Sequence, residues 1–166
     1  MAKTYNTLGT VAPGDVLRAN SGTASYNGLI TNVNNYRVPA IGTFTASQSA
    51  ADATNQVVTL TEVTDTDSMF TSGTTVTINT AGIYLFTMSV GWSGVDVRAD
   101  CWINHSVGGV IVRDTRYGTI ERNAVSIAYP CSAAETVSVY VYQDNTLTAS
   151  RTATVAFSAI WQGQAS

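Results

Sequence analysis

The sequence predicts an all-β domain of antiparallel sheets, a sandwich or a barrel, behind a short amino-terminal segment of different character. Three observations carry this reading. From Val57 onward apolar residues alternate with polar ones at period two. Each alternating run is about four to eight residues long and is bounded by Gly, Asn, Asp, Ser or Pro. No helical spacing interrupts these runs, and about nine candidate strands fall within roughly 125 residues, a density suited to packed antiparallel sheets.

The first 20 residues, MAKTYNTLGTVAPGDVLRAN, read as an extended arm with a turn at Pro13-Gly14. In the next stretch, TASYNGLITNVNNYRVP, the residues Tyr26, Leu29, Ile30, Val33 and Tyr36 recur at the spacing of one helix face. Thr23 or Ser25 can cap the start, and Pro39 ends it because the residue before a proline avoids the α region. Gly28 and four asparagines weaken this helix, and about 14 residues are marginal in water alone. Such a helix needs a surface to dock on. Residues 1–37 are therefore expected to form an arm and short helix for attachment or oligomerisation, and residues 38–166 the β domain.

The strands then follow in order, opening with VPAIGTFTA and QVVTLTEV. In TTVTINTAGIYLFTMSVGW, Val76 and Ile78 mark one strand, and Tyr84, Phe86, Met88, Val90 and Trp92 line one face of the next. NTAG between them is a tight turn in which Gly82 is free to take positive φ. RADCWINHS, GGVIVRDT, RNAVSIAYP, ETVSVYVYQ and TATVAFSAIWQ complete the set. Val137, Val139 and Val141 face one way and Ser138, Tyr140 and Tyr142 the other, while Val155, Phe157, Ala159 and Trp161 share a side. No fixed-period repeat suggests a propeller or β-helix. Strands rich in Val, Thr and Tyr with few charges invite mispairing at their edges, and symmetric oligomerisation is one way to cover them.

Charged residues make up 11% of the chain and the net charge is -3, against a usual charged share of about 25%. A surface without clustered Lys and Arg does not suit nucleic acid. The apolar content does not suit a disordered tail. No apolar run approaches the roughly 18 residues of a membrane helix, so no membrane insertion is expected. MAKTYNTLGT lacks the apolar core of a leader peptide, which implies synthesis in a cytosol.

An enzyme would need a nucleophile with its base, tuned carboxylates or metal ligands in a cleft. The only histidine, His105, stands where WINHSVGG enters a turn and reads as a solvated turn residue. No nucleophile elbow, zinc-protease or phosphate-loop pattern is present. Glu62, Asp65 and Asp67 in EVTDTDS offer oxygen ligands suited to calcium, but without the Gly and closing Glu of an EF-hand they read as a solvated loop. Cys101 and Cys131 lack CxxC spacing and read as buried, reduced thiols, a disulfide being the alternative. Arg98, Asp100, Arg113, Asp114, Arg116, Glu121 and Arg122 read as hairpin-end charges or as pairs across a subunit contact. Tyr84, Phe86, Trp102, Tyr140, Tyr142, Phe157 and Trp161 read first as core. No catalytic residue, metal or cofactor is expected.

VTINTAGIYLFTMSV resembles the opening strands of the tumour-necrosis-factor and complement-q globular-head superfamily, the matching positions being Val76, Ile78, Ala81, Gly82, Tyr84 and Phe86. CWINHSVGGVIV, AVSIAYPCSAAETVSVYVYQ and TVAFSAIWQG resemble its later strands in the same order, so the likeness runs from about Val38 to Gly163. That resemblance implies a jelly roll that trimerises, with Tyr140 and Tyr142 as trimer-interface candidates. Animal members carry secretion signals and often collagen stalks, which this chain does not show. The opening TVAPGDVLRAN is similar to that of many tailed-bacteriophage virion proteins, on Gly14, Asp15, Val16, Leu17, Ala19 and Asn20.

Together these readings predict a homotrimeric jelly-roll structural protein, made in the host cytoplasm and located on a phage virion. Val16, Leu17, Tyr26, Leu29, Ile30, Val33 and Tyr36 are its expected attachment or interface residues. Its partners would be copies of itself and the major capsid protein, which it would decorate as a cement protein or head fibre, or tail proteins. A receptor-binding fibre or tail-tip adhesin, or a lectin-like module recognising a host glycan or protein, is the alternative.

Overall fold

The computed structural model describes residues 40–70 and 72–164. The arm and helix, with Val16, Leu17, Tyr26, Leu29, Ile30, Val33 and Tyr36, lie outside the described residues.

Ten strands are present and, among the described residues, no helix: β1 Ile41–Ala50, β2 Gln56–Val57, β3 Thr61–Asp65, β4 Val76–Thr77, β5 Gly82–Val95, β6 Arg98–His105, β7 Gly109–Tyr117, β8 Ile120–Cys131, β9 Thr136–Asp144 and β10 Arg151–Gly163. They form two antiparallel sheets. Sheet A runs β3-β1-β10-β5-β8, and sheet B runs β2-β9-β6-β7 with β4 also paired to β9. At the centre of sheet A, β1 and β10 pair from opposite ends of the described chain, as in a jelly roll.

Alternation places the core between the sheets. Tyr84, Phe86, Met88, Val90 and Trp92 of β5 point inward as predicted, with Ala153, Val155, Phe157 and Ala159 of β10 and Phe44 and Ala46 of β1. Sheet B answers with Ala99, Cys101 and Ile103 of β6 and Val137, Val139 and Val141 of β9. Phe44 stacks on Phe157 at 5.9 Å, Phe157 on Phe86 at 6.2 Å and Phe86 on Tyr84 at 5.8 Å. This aromatic ladder crosses three strands and ties their register to side-chain packing.

One expected strand divides. QVVTLTEV becomes β2 in sheet B and β3 in sheet A, because the chain crosses between sheets at Val58 and Leu60, both buried. The NTAG turn has its anticipated glycine geometry, with Gly82 at φ +153°. A Cβ there would overlap the Trp161 indole and the Gly163 carbonyl.

The two poles of the sandwich differ. At one, the Trp161 amide donates to the Ala40 carbonyl at 2.8 Å, so both ends of the described chain leave side by side. At the other, a buried polar cluster pins three loops. Gln143 donates to the carbonyls of Ala50 and Ala149 at 3.1 and 3.0 Å, and Asn145 donates to the Gln143 side chain. The Asn145 amide donates to Asp52 at 2.8 Å, and the Asp96 amide donates to the Asn145 side-chain oxygen at 3.0 Å. Each of these buried groups has a partner, so the cluster holds the loops rather than waiting for a ligand.

Candidate functional site

The outer face of sheet A is made of rows fixed by strand register. Thr43, Ser158, Thr87 and Ser126 stand side by side across four strands, with Thr64 beyond Thr43. Thr87 and Ser158 share a hydrogen bond of 2.7 Å. The row on one side reads Thr45, Ala156, Ser89 and Ala124, and that on the other side, Ile41, Ile160, Leu85 and Ala128, is apolar apart from its neighbours' backbones. Arg122, beyond Gly91 in the next row, is the one charged side chain of these rows. A shallow depression of 590 Å³ lies over the hydroxyl row. Small side chains on a nearly uncharged five-stranded face let another surface approach without desolvating charge.

The outer face of sheet B is different. Trp102, read as core and only 6% exposed, and Tyr140, read as core or trimer interface and half-buried, stack on the outer side of the sheet with rings 5.2 Å apart and 8° from parallel. Arg113 covers the other face of Trp102 at 4.9 Å. One step along, Arg98 lies between Tyr142 at 5.0 Å and Tyr117 at 5.8 Å. Asp100 sits buried between the two sets. It accepts from Arg98 at 3.1 and 2.6 Å and from Arg113. Burial alone would raise its pKa, but hydrogen bonds from Arg98, Arg113 and Thr115 outweigh that and hold the carboxyl below its ordinary value. Tyr140 and Tyr142 thus belong to sheet B, away from the uncharged face of sheet A. These charges, read as hairpin ends or as pairs across a subunit contact, pair within the chain instead, and Asp114 likewise takes Arg116 at 2.9 Å and the Asn123 amide group at 3.0 Å.

His105 departs from expectation. It is 2% exposed, because it shares the inward side of β6 with Ala99, Cys101 and Ile103. Its Nδ1 accepts from the amides of Val107 and Gly108 at 3.3 and 3.1 Å. Its Nε2 lies 3.2 Å from Glu135 Oε2, out of line for a hydrogen bond. Tyr129 tilts against the ring at 5.0 Å, and one donor atom each of His105, Cys131 and Glu135 falls within 4.8 Å of the others. The amides take Nδ1, and Nε2 is left facing Glu135 and Cys131 without an aligned hydrogen bond.

Cys101 and Cys131 are both free and buried, as read from their spacing. Burial pushes each thiol up to about 12. In the acidic loop, Asp65 spends its carboxylate on the amides of Asp67 and Phe70 at 3.1 and 2.8 Å, which makes it a loop brace.

No family model matches the chain, and no curated protein matches it in sequence. Its fold is that of the tumour-necrosis-factor and complement-1q jelly rolls. It is similar to the globular domain of zebrafish complement 1qA protein, at 11% identity and TM-score 0.58, covering 76% of this chain and 99% of that one. It is similar to the Eiger TNF of S. frugiperda, at 11% identity and TM-score 0.58, covering 78% and 96%. The vertex protein P5 of PRD1 is similar at 10% identity and TM-score 0.58, covering 74% and 99%.

Proposed function

We propose that this protein is a homotrimeric structural protein of a bacteriophage virion, which decorates or stabilises the capsid surface and attaches through residues 1–37. The observation that carries self-association is the outer face of sheet A, where rows of Ser, Thr, Ala and Ile across four strands hold one charged side chain. Around a threefold axis such a face meets a different surface of the next copy, and with so few charges it does so at little electrostatic cost. The likeness to a virus vertex protein, together with the phage-like opening around Gly14 to Asn20, favours a virion over a signalling ligand. Its action is binding rather than catalysis, with capsid or tail proteins as its partners.

Light scattering on the full chain is the test. The expected mass is three times the 17.5 kDa of one chain, and a mass of one chain would sink the trimer. Removing residues 1–37 is expected to leave a folded β domain that no longer joins particles. Particle binding that survives the deletion would discard the arm as anchor.

A receptor-binding fibre or tail-tip adhesin, or a lectin-like module, is the second reading. It is favoured by the aromatic and arginine side chains outside sheet B, where Tyr117 is 74% exposed. Glycan-array binding by residues 38–166 would support it over decoration.

A further inference from the structure

We propose that His105, Cys131 and Glu135 form a three-ligand site for a divalent metal ion of the zinc class, with water completing a tetrahedron. The three residues come from one pole of the sandwich: the end of β6, the end of β8 and the turn into β9. Their donor atoms are within 4.8 Å of one another. His105 Nε2 and Glu135 Oε2 are 3.2 Å apart, and nitrogen and oxygen ligands on one tetrahedral zinc stand about 3.3 Å apart, given metal bonds near 2.1 Å. The His105 and Glu135 atoms therefore already stand at the spacing that one ion requires.

A second observation points the same way. Nε2 is a buried nitrogen with no aligned hydrogen-bond partner, and it is aimed into the cluster. Buried polar atoms left in that condition are rare and call for a reason. Glu135 is already oriented, because its Oε2 accepts from the Ser132 amide at 2.6 Å, the kind of outer contact that holds a ligating carboxylate in place. One imidazole, one thiol and one carboxylate suit zinc and its neighbours, whereas calcium and magnesium take oxygen throughout.

The sulfur pair of Cys131 forms the metal bond and the thiol proton leaves to solvent, so the thiolate and the Glu135 carboxylate neutralise the ion's two charges. The ring proton moves from Nε2 to Nδ1, which frees the Nε2 pair for the metal. Nδ1 then becomes a donor, and the amides of Val107 and Gly108 that now point at it must turn away. Metal occupancy is thereby linked to the β6–β7 turn.

Titration of the reduced full chain with Co²⁺ alone, followed by Zn²⁺, tests the site. The expected result is one cobalt per chain with a thiolate-to-cobalt charge-transfer band, displaced by zinc, and shifted amide resonances at Val107 and Gly108. Cys131→Ser is expected to abolish the band and Cys101→Ser to leave it. Glu135→Gln, at a partly exposed position, is expected to weaken binding about tenfold or more and keeps the test open if His105→Gln does not fold. The absence of a charge-transfer band in the folded protein, or a band that survives Cys131→Ser, would overturn the proposal and leave an ion pair between His105 and Glu135.

Discussion

Asp100 and Arg98 sit two residues apart on the outer side of β6, joined at 2.6 Å, and the carboxylate is wholly buried while the guanidinium side chain stays 31% exposed. Arg113 closes on the same carboxylate from β7. Asp100→Asn leaves two cations facing each other. The expected loss is about 2 kcal/mol, less than the roughly 3–5 of a fully buried pair, because both arginines keep water. Urea denaturation measures it.

That carboxyl also sets an acid dependence. Its folded pKa is lowered, so its contribution is complete above the unfolded value near 3.9 and is lost as pH falls through the lower folded value. The wild-type chain is expected to lose stability below about pH 4 more steeply than Asp100→Asn. Parallel denaturation curves for the two proteins in acid would contradict this.

Gly82→Ala is expected to cost about 3 kcal/mol or more, since the new methyl overlaps the Trp161 indole and the Gly163 carbonyl at a φ unfavourable to side chains. Gly118, at φ +88° with open space around it, isolates the backbone part. Gly118→Ala is expected to cost about 1 kcal/mol. Equal thermal midpoints for the two variants would refute the steric account.

Ser158→Asp puts a charge at the centre of the hydroxyl row of sheet A and is expected to give a folded single chain by light scattering. Tyr140→Ala, on sheet B, is expected to lose about 1 kcal/mol of ring stacking while keeping the oligomer. The reverse pattern would move the contact to the face of Tyr140 and Tyr142.

Both thiols, pushed up to about 12 by burial, are expected to resist disulfide reagents at pH 8 in the native protein and to react fully in denaturant. Rapid native labelling of either would contradict the packing described for it.

Period two alone placed Tyr84 to Trp92 and Val137 to Val141 correctly, because each strand has one face on a shared core. The same rule applied to β6 puts His105 with Cys101 and Ile103. Its nearness to a turn obscured that. Trp102 and Tyr140 look like core by residue type, and only the pairing of β6 with β9 shows that they share the outer face. The split of QVVTLTEV was hidden for a related reason: an alternating run does not reveal that the chain changes sheets midway. The grouping of His105, Cys131 and Glu135 depends on where two distant hairpins end, which is information held in topology.

The hydrogen bond from Trp161 to Ala40 brings the two ends of the described β domain to one pole. The described chain begins at Ala40 and ends at Gln164 beside that bond. The pinned loops at the other pole, where Leu147 is 73% exposed, are free of both ends. A peptide grafted beside Leu147 would be displayed at the far end of the domain from both ends of the described chain.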